Sequence, residues 1–248
     1  MPTFRHGKNT VVIFGKYDLS QYFNSATVSA MAEAVDTTTF GSANKTYAVG
    51  MKDATVSFEG LWSGVLDTEG SDAVLHAAIA DTSKTVITVG NEGAAIGRRA
   101  KLINADETSY EIAAAIADMV TISAEAQASG TQGGLDGGVL LAAGQTVSAV
   151  TANTGVDNAA GSTNGGVAHL HVTANTRNGA ATIKVQHSAN NSTWADLVVF
   201  TATTSSTTTS ERIEVAAGTT VNRYVRANVS AIAGSTGSVT ITVGFARR

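Results

Sequence analysis

The sequence predicts a mainly β protein in two parts, a first β-sheet unit over residues 1–145 and a second, smaller antiparallel β-sandwich over 146–248. Three observations predict it. Several segments alternate apolar and polar residues with a period of two, as a strand with one buried face does. The side chains are light: 6% are aromatic and 15% charged, so the 43% that are hydrophobic are carried by Ala and Val. Small and β-branched residues suit thin sheets better than a bulky α/β core. Finally, composition changes across residues 130–145, GTQGGLDGGVLLAAGQ, after which acidic residues are scarce and Thr, Asn and Ser dominate.

In the first part, residues 10–14 predict a short strand. Its apolar run, 11–14, is far too short for a signal-peptide core. From 25 to 35, Ala26, Val28, Ala30, Ala32 and Ala34 oppose Ser25, Thr27, Ser29 and Glu33, with Met31 and Val35 blurring the second face. From 54 to 62, Ala54, Val56, Phe58, Gly60 and Trp62 oppose Thr55, Ser57, Glu59 and Leu61. The same design recurs at 109–116, with Glu111 on the polar side, and at 119–128, with Glu125 there. Further strands are expected at 85–89 and 98–103. One helix is expected in DAVLHAAIAD, capped by Ser71 or Asp72 and laying Val74, Leu75, Ala78 and Ile79 on one side of the sheet.

Each of the four alternating strands thus has an apolar face and a small polar face with one glutamate: Glu33, Glu59, Glu111 or Glu125. Two readings fit that polar face. It is an ordinary solvated surface, or the wall of a wide, wet, negatively charged channel. The connection over 36–53, DTTTFGSANKTYAVGMKD, is longer than a tight hairpin needs. It reads as a β-prone arm that pairs with a neighbour, or as a surface loop.

In the second part, strands are expected at 167–173, 181–186, 197–201, 212–215, 223–229 and 238–245. Gly, Asn and Ser turns between them fit an antiparallel sandwich, Ig-like or jelly-roll-like. The polar run ATTSSTTTS at 202–210 is expected as a surface loop or edge strand.

Charge and motifs exclude more than they suggest. The net charge of −4 divides unevenly: residues 1–145 hold 9 basic and 16 acidic side chains, and 146–248 hold 7 and 4. An acidic first part repels DNA rather than gripping it. Cysteine is absent, so disulfides, Cys-based metal sites and thiol nucleophiles are excluded. No stretch has the roughly 18 apolar residues of a membrane span, and the expected place of synthesis is the cytoplasm. There is no GxSxG elbow, and GNEGAAIG lacks the GK[ST] ending of a phosphate loop. His169 and His171 share a strand face at a spacing that two metal ligands could use; without a third ligand they are expected to face solvent. Glu107 and Glu111 could form a carboxylate pair, but lie in no pocket motif. The reading is therefore a protein without catalytic residues, metal or cofactor. Trp194, with Arg223, Tyr224 and Arg226 in NRYVRANV, is expected to plug the end of the second core. The alternative is a surface-ligand site of Trp194, Tyr224 and Arg226.

Residues 15–62, from GKYDLSQYF through AEAVDTTTFGS and KTYAVGMKD to VSFEGLW, resemble the tail tube proteins of long-tailed, non-contractile (siphovirus-like) bacteriophages. With the later strands and GGLDGGVL the resemblance spans roughly 10–140. It implies a small β-sandwich or barrel with one flanking helix, whose copies form rings, commonly hexamers, that stack into a DNA-conducting tube. It implies that Glu33, Glu59, Glu111 and Glu125 face the lumen, where they would keep phosphates from sticking. Asp36, Phe40, Lys45, Tyr47, Met51, Lys52 and Asp53 would lie in a loop reaching the adjacent ring. The implied partners are copies of the chain itself, the tape measure, terminator and distal tail proteins, and DNA in passage without specific binding. The implied location is the virion tail. The second part resembles the sandwich domains appended to phage tail and capsid proteins. A capsid or tail decoration protein, or an adhesin with a carbohydrate-binding second part, is the alternative.

Overall fold

The computed structural model describes residues 6–64, 69–130 and 134–248. The chain is mainly β, with sandwich packing and one α-helix. In order the elements are β1 (Val11–Phe14), β2 (Tyr17–Asp18), β3 (Phe23–Asp36), β4 (Tyr47–Leu61), α1 (Ser71–Ala80), β5 (Thr85–Gly90), β6 (Arg99–Ala113), β7 (Thr121–Ala128) and β8 (Leu135–Val147). There follow β9 (Thr151–Ala152), β10 (Val156–Asp157), β11 (Gly166–Asn175), β12 (Ala181–Ser188), β13 (Ala195–Val199), β14 (Thr209–Val215), β15 (Tyr224–Ile232) and β16 (Val239–Arg247). Among the described residues no helix is long and apolar enough to cross a membrane.

One antiparallel sheet runs in the order β14-β11-β16-β8-β6-β5-β1-β2. It branches at β6. The first half of that strand pairs with β5 and β8, whereas residues 105–113 pair with β7, which continues to β4 and β3. A second sheet, built on β15, β12 and β13 with short β9 and β10, covers one face of the β14-β11-β16-β8 stretch.

Two separate cores follow. The first lies between the branch β3-β4-β7-β6, helix α1 and strands β1 and β5, and contains Phe14, Leu19, Val56, Phe58, Leu75, Ile87 and Ile122. Phe58, 1% exposed, meets Phe14 edge-on at 6.3 Å and stacks on Phe23 at 5.1 Å. The second lies between the two sheets and contains Leu170, Ile183, Val185, Phe200, Val225, Ile241 and Phe245. A small cluster of Ala100, Leu102, Leu140, Val167 and Ala246 lies between these cores.

Several expectations need correction. The strands expected at 98–103 and 109–116 are one strand, because a register shift between Glu107 and Ser109 resets the alternation and hides the continuity. That strand ends at Ala113 and leaves Ile116 in the turn. β4 begins at Tyr47, so much of the 36–53 connection is strand; its pattern is broken where Gly50 and Met51 together oppose Glu33. β8 has no alternation to read, yet runs 13 residues. Glycine there is steric: a Cβ on Gly138 would sit 2.3 Å from the Phe245 carbonyl oxygen of the adjoining β16. Residue 145 therefore lies inside a strand shared by both halves, and 131–133 of the glycine-rich segment lie outside the described residues. Neither Ser71 nor Asp72 caps α1, whose N-cap is Gly70; the Ser71 hydroxyl instead donates to the Leu61 carbonyl.

Candidate assembly surface

The four alternating strands lie side by side in the order β3-β4-β7-β6, and their register puts the polar residues in rows. Ser25, Glu59, Ser123 and Glu111 form one row. Thr27, Ser57, Glu125 and Ser109 form the next, and Ser29, Thr55, Gln127 and Asp106 the third. Residues opposite one another on neighbouring strands point to the same side. Glu59, Glu111 and Glu125 therefore share a face. Glu33 joins it further along, since β3 alternates without interruption from Ser25 to Glu33 and the extra residue of the bulge there lies in β4. All four glutamates are exposed.

No Lys or Arg stands in these three rows. At the end of the third row the Lys84 ammonium lies 3.0 Å from the Asp106 carboxylate. Asp53, beyond the third row, accepts from the Gln127 amide. The glutamates accept from no basic side chain, so the face is a shallow acidic plate of small hydroxyl side chains.

Both edges of this plate are open among the described residues. β3 pairs only with β4 along its 14 residues. On the other side, β5 stops pairing with β6 at Ala105, so residues 106–113 have β7 on one flank and no strand on the other. Unpaired N–H and C=O rows of this length invite pairing with another chain.

The hairpin continues past the plate. β7 stops at Thr55, so residues 31–53 project as a two-stranded arm. Phe40, Tyr47, Val49, Met51 and Met31 are exposed on it, Phe40 completely. Asp36, Lys45, Lys52 and Asp53 are exposed there as well. The Thr38 backbone N–H donates to Asp36 at 2.8 Å, and hydrogen bonds from Thr38 hold that carboxyl below the usual range. At the opposite end of the same strands Leu61, Trp62, Ile112, Ile116 and Met119 are also exposed.

The apolar side of the plate carries a surprise. Glu107 lies opposite Ala126, facing the core beneath α1, and both its carboxylate oxygens are buried without a hydrogen-bond partner. Burial raises its pKa to about 8. Glu111 is on the other face, so the two do not form a pair. Three residues after Glu107, the Tyr110 hydroxyl donates to Asp72 of α1 and its ring stacks on His76 at 5.6 Å.

His169 and His171 are not solvent-facing: both are fully buried. They lie where the second half packs on the first, which a strand-face pattern cannot reveal. Among the described residues no group of three or more His, Asp or Glu could hold a metal ion. Trp194 does not plug the second core. It is half-buried on the outer side of the second sheet, with the Arg226 guanidinium 4.1 Å over its ring and Gly155 against its edge. Tyr224 and Arg226 share that outer face, while Val225 and Ala227 between and beyond them are buried. Arg226 also donates twice to the Gln186 amide oxygen, at 3.0 and 2.8 Å.

No protein-family model matches the chain, and no curated protein matches it. Among solved structures it is similar to a chain in the virion of a native gene transfer agent particle, 19% identical, TM-score 0.40. A chain in the tail of an empty gene transfer agent particle, refined with C6 helical symmetry, is 17% identical, TM-score 0.39. Each match covers 52% of this chain and 96% of the other.

Proposed function

We propose that this chain is a structural virion protein, the subunit of stacked rings that form a siphovirus-like phage tail tube and conduct DNA at ejection. The observation that carries the reading is the plate: four strands, two open edges and one acidic face whose rows hold no Lys or Arg. Joining β3 of one copy to residues 106–113 of β6 in the next satisfies both edges and extends the plate into a closed barrel. Strands lie about 4.8 Å apart, so six copies, ~24 strands, give a barrel roughly 37 Å across its backbone. Three copies would give about half that width between backbones, too narrow for a duplex. Six leave a bore for a duplex.

In this ring the glutamate face is the lumen. Fixed negative charge there keeps phosphates from forming ion pairs, each of which would add drag over the whole tube. Residues 1–145 form the ring and 146–248 stand outside it. The arm, carrying Phe40, Tyr47, Val49 and Met51, docks on the next ring, where Leu61, Trp62, Ile116 and Met119 offer apolar surface at the opposite strand end. Other tail proteins (tape measure, terminator and distal tail) meet the ends of the stack.

The absence of native cysteine gives a direct test of the edges. Single cysteines at Ser25, Thr27 or Ser29, each combined with Ser109→Cys, are oxidised after concentration. One pairing is expected to give a ladder of covalent oligomers that ends in a closed ring. Failure of every pairing to cross-link copies would remove the β3–β6 joint.

A further inference from the structure

The contact between the two halves is built around a directed chain of hydrogen bonds. Arg212 of β14 meets His169 Nε2 at 2.9 Å, and His169 Nδ1 meets the Thr88 hydroxyl of β5 at 3.2 Å. The same hydroxyl lies 2.7 Å from His171 Nε2, and His171 Nδ1 lies 2.6 Å from the Gly15 carbonyl oxygen. The roles follow from the two ends. A carbonyl only accepts, so His171 Nδ1 carries a proton and its Nε2 accepts from Thr88. Thr88 has then spent its one proton, so His169 Nδ1 must donate to it. His169 Nε2 is left bare, and accepts from the Arg212 guanidinium, which can only donate. Every bond in the chain requires both imidazoles neutral, in the Nδ1–H tautomer.

A proton on either ring breaks this order. On His169 Nε2 it would point at a guanidinium N–H; on His171 Nε2 it would point at the Thr88 O–H. The charged groups around the pair do not rescue it. His169 faces Arg212 and His171, both of which oppose a further positive charge. His171 has Asp18 of β2 in range, but burial outweighs it. Beyond Arg212, the Asp136 and Glu214 carboxylates are already engaged by Arg212 and Arg248. The neighbouring β16 offers only Gly244 and Thr242 opposite the two histidines.

We propose that the Arg212–His169–Thr88–His171–Gly15 chain is an acid-released latch between the two halves. It holds β11 and β14 against β2 and β5 while both rings are neutral, and lets them part when either ring is protonated. Each apolar core draws on one half, the first on residues 12–128 and the second on residues 141–245. The apolar cluster between the cores has only five fully buried residues. Opening therefore leaves both cores intact, with β8 and its ladder to β6 as the remaining connection.

Burial pushes His169 well below its usual range and His171 down to about 4. Both folded values are depressed below 6.5, so the open state binds more protons below that pH, and closure weakens as pH falls. For His171, at about 4 when closed and 6.5 when open, the closed-to-open ratio drops roughly 20-fold between pH 7 and pH 5, and His169 acts in the same direction.

The test uses the full chain. Histidine 15N shifts at pH 7.5 are expected to show both rings neutral with a bare Nε2. Hydrogen exchange at pH 5, corrected for the intrinsic rate, is expected to rise in residues 15–18 and 209–215 while β4, β7 and β12 stay protected. A His169→Gln, His171→Gln double variant is expected to lose this difference between pH 7.5 and pH 5. An imidazolium or an Nε2–H ring at pH 7.5 overturns the latch, as does exchange unchanged between the two pH values. If the variant does not fold, the shifts and the wild-type exchange decide.

Discussion

At the scale of single residues, the molecule departs from ordinary burial rules at Glu107. An unpartnered carboxyl beneath α1 is costly when charged. With its folded value raised to about 8 from a usual 4.5, the folded state holds a proton that the unfolded chain releases. Stability is therefore fully present below about 4.5 and lost as pH rises toward 8. Glu107→Met, which keeps the volume and removes both oxygens, is expected to stabilise by about 1–3 kcal/mol at pH 8.5 and by less at pH 5. Thermal unfolding at the two pH values checks this; equal effects would mean that Glu107 is hydrated. The sequence could not place this residue. A single extra residue at the bulge moves Glu107 to the apolar side, so spacing alone pairs it wrongly with Glu111. By contrast Glu59, Glu111 and Glu125 were readable, because strict alternation and antiparallel register together decide a face. On that face, Glu59→Lys is expected to leave tubes intact and slow DNA release severalfold, measured as the rate of DNA appearance from triggered particles; an unchanged rate would detach the glutamates from ejection.

At the scale of elements, the arm and the open edges have different tasks. The tip of the arm, residues 37–46, hydrogen-bonds within the arm itself, so its removal separates stacking from ring closure. Replacing residues 37–46 by an Asn-Gly turn, which joins antiparallel strands tightly, is expected to keep the monomer's melting temperature within a few degrees. Rings should form and tubes should not, as seen by light scattering and negative-stain images. Tubes of normal length from this variant would free the arm of its assigned role. The alternating strands of the plate were legible because one face is buried and the other is not. The outer half of β4 was not, since both its faces meet solvent in the single chain and no burial pattern constrains them. β8 escaped for the opposite reason: its glycines are dictated by a close neighbouring backbone rather than by a face.

At the scale of the whole molecule, the halves are joined by one strand, one small apolar cluster, buried charge and the histidine chain. Asp136 of β8 lies 3.0 Å from both Arg212 and Arg248, with the three side chains 3%, 8% and 10% exposed. Asp136→Ala would leave the two guanidiniums with only the more exposed Glu214 carboxylate and is expected to cost about 3 kcal/mol, measured by denaturant unfolding; a cost below 1 kcal/mol would show that water or Glu214 replaces the lost carboxylate. The composition break near residue 145 marks a change of surface chemistry, while the backbone runs through it unbroken. Nothing in a one-dimensional pattern tells that a strand serves two layers, or that two histidines of the second half meet a threonine of the first. Electron microscopy of the purified, concentrated chain tests self-assembly most directly. Regular tubes with a central bore and outer knobs are the predicted result. Particles that remain single copies at every concentration, with both edges of the plate unpaired, would contradict it.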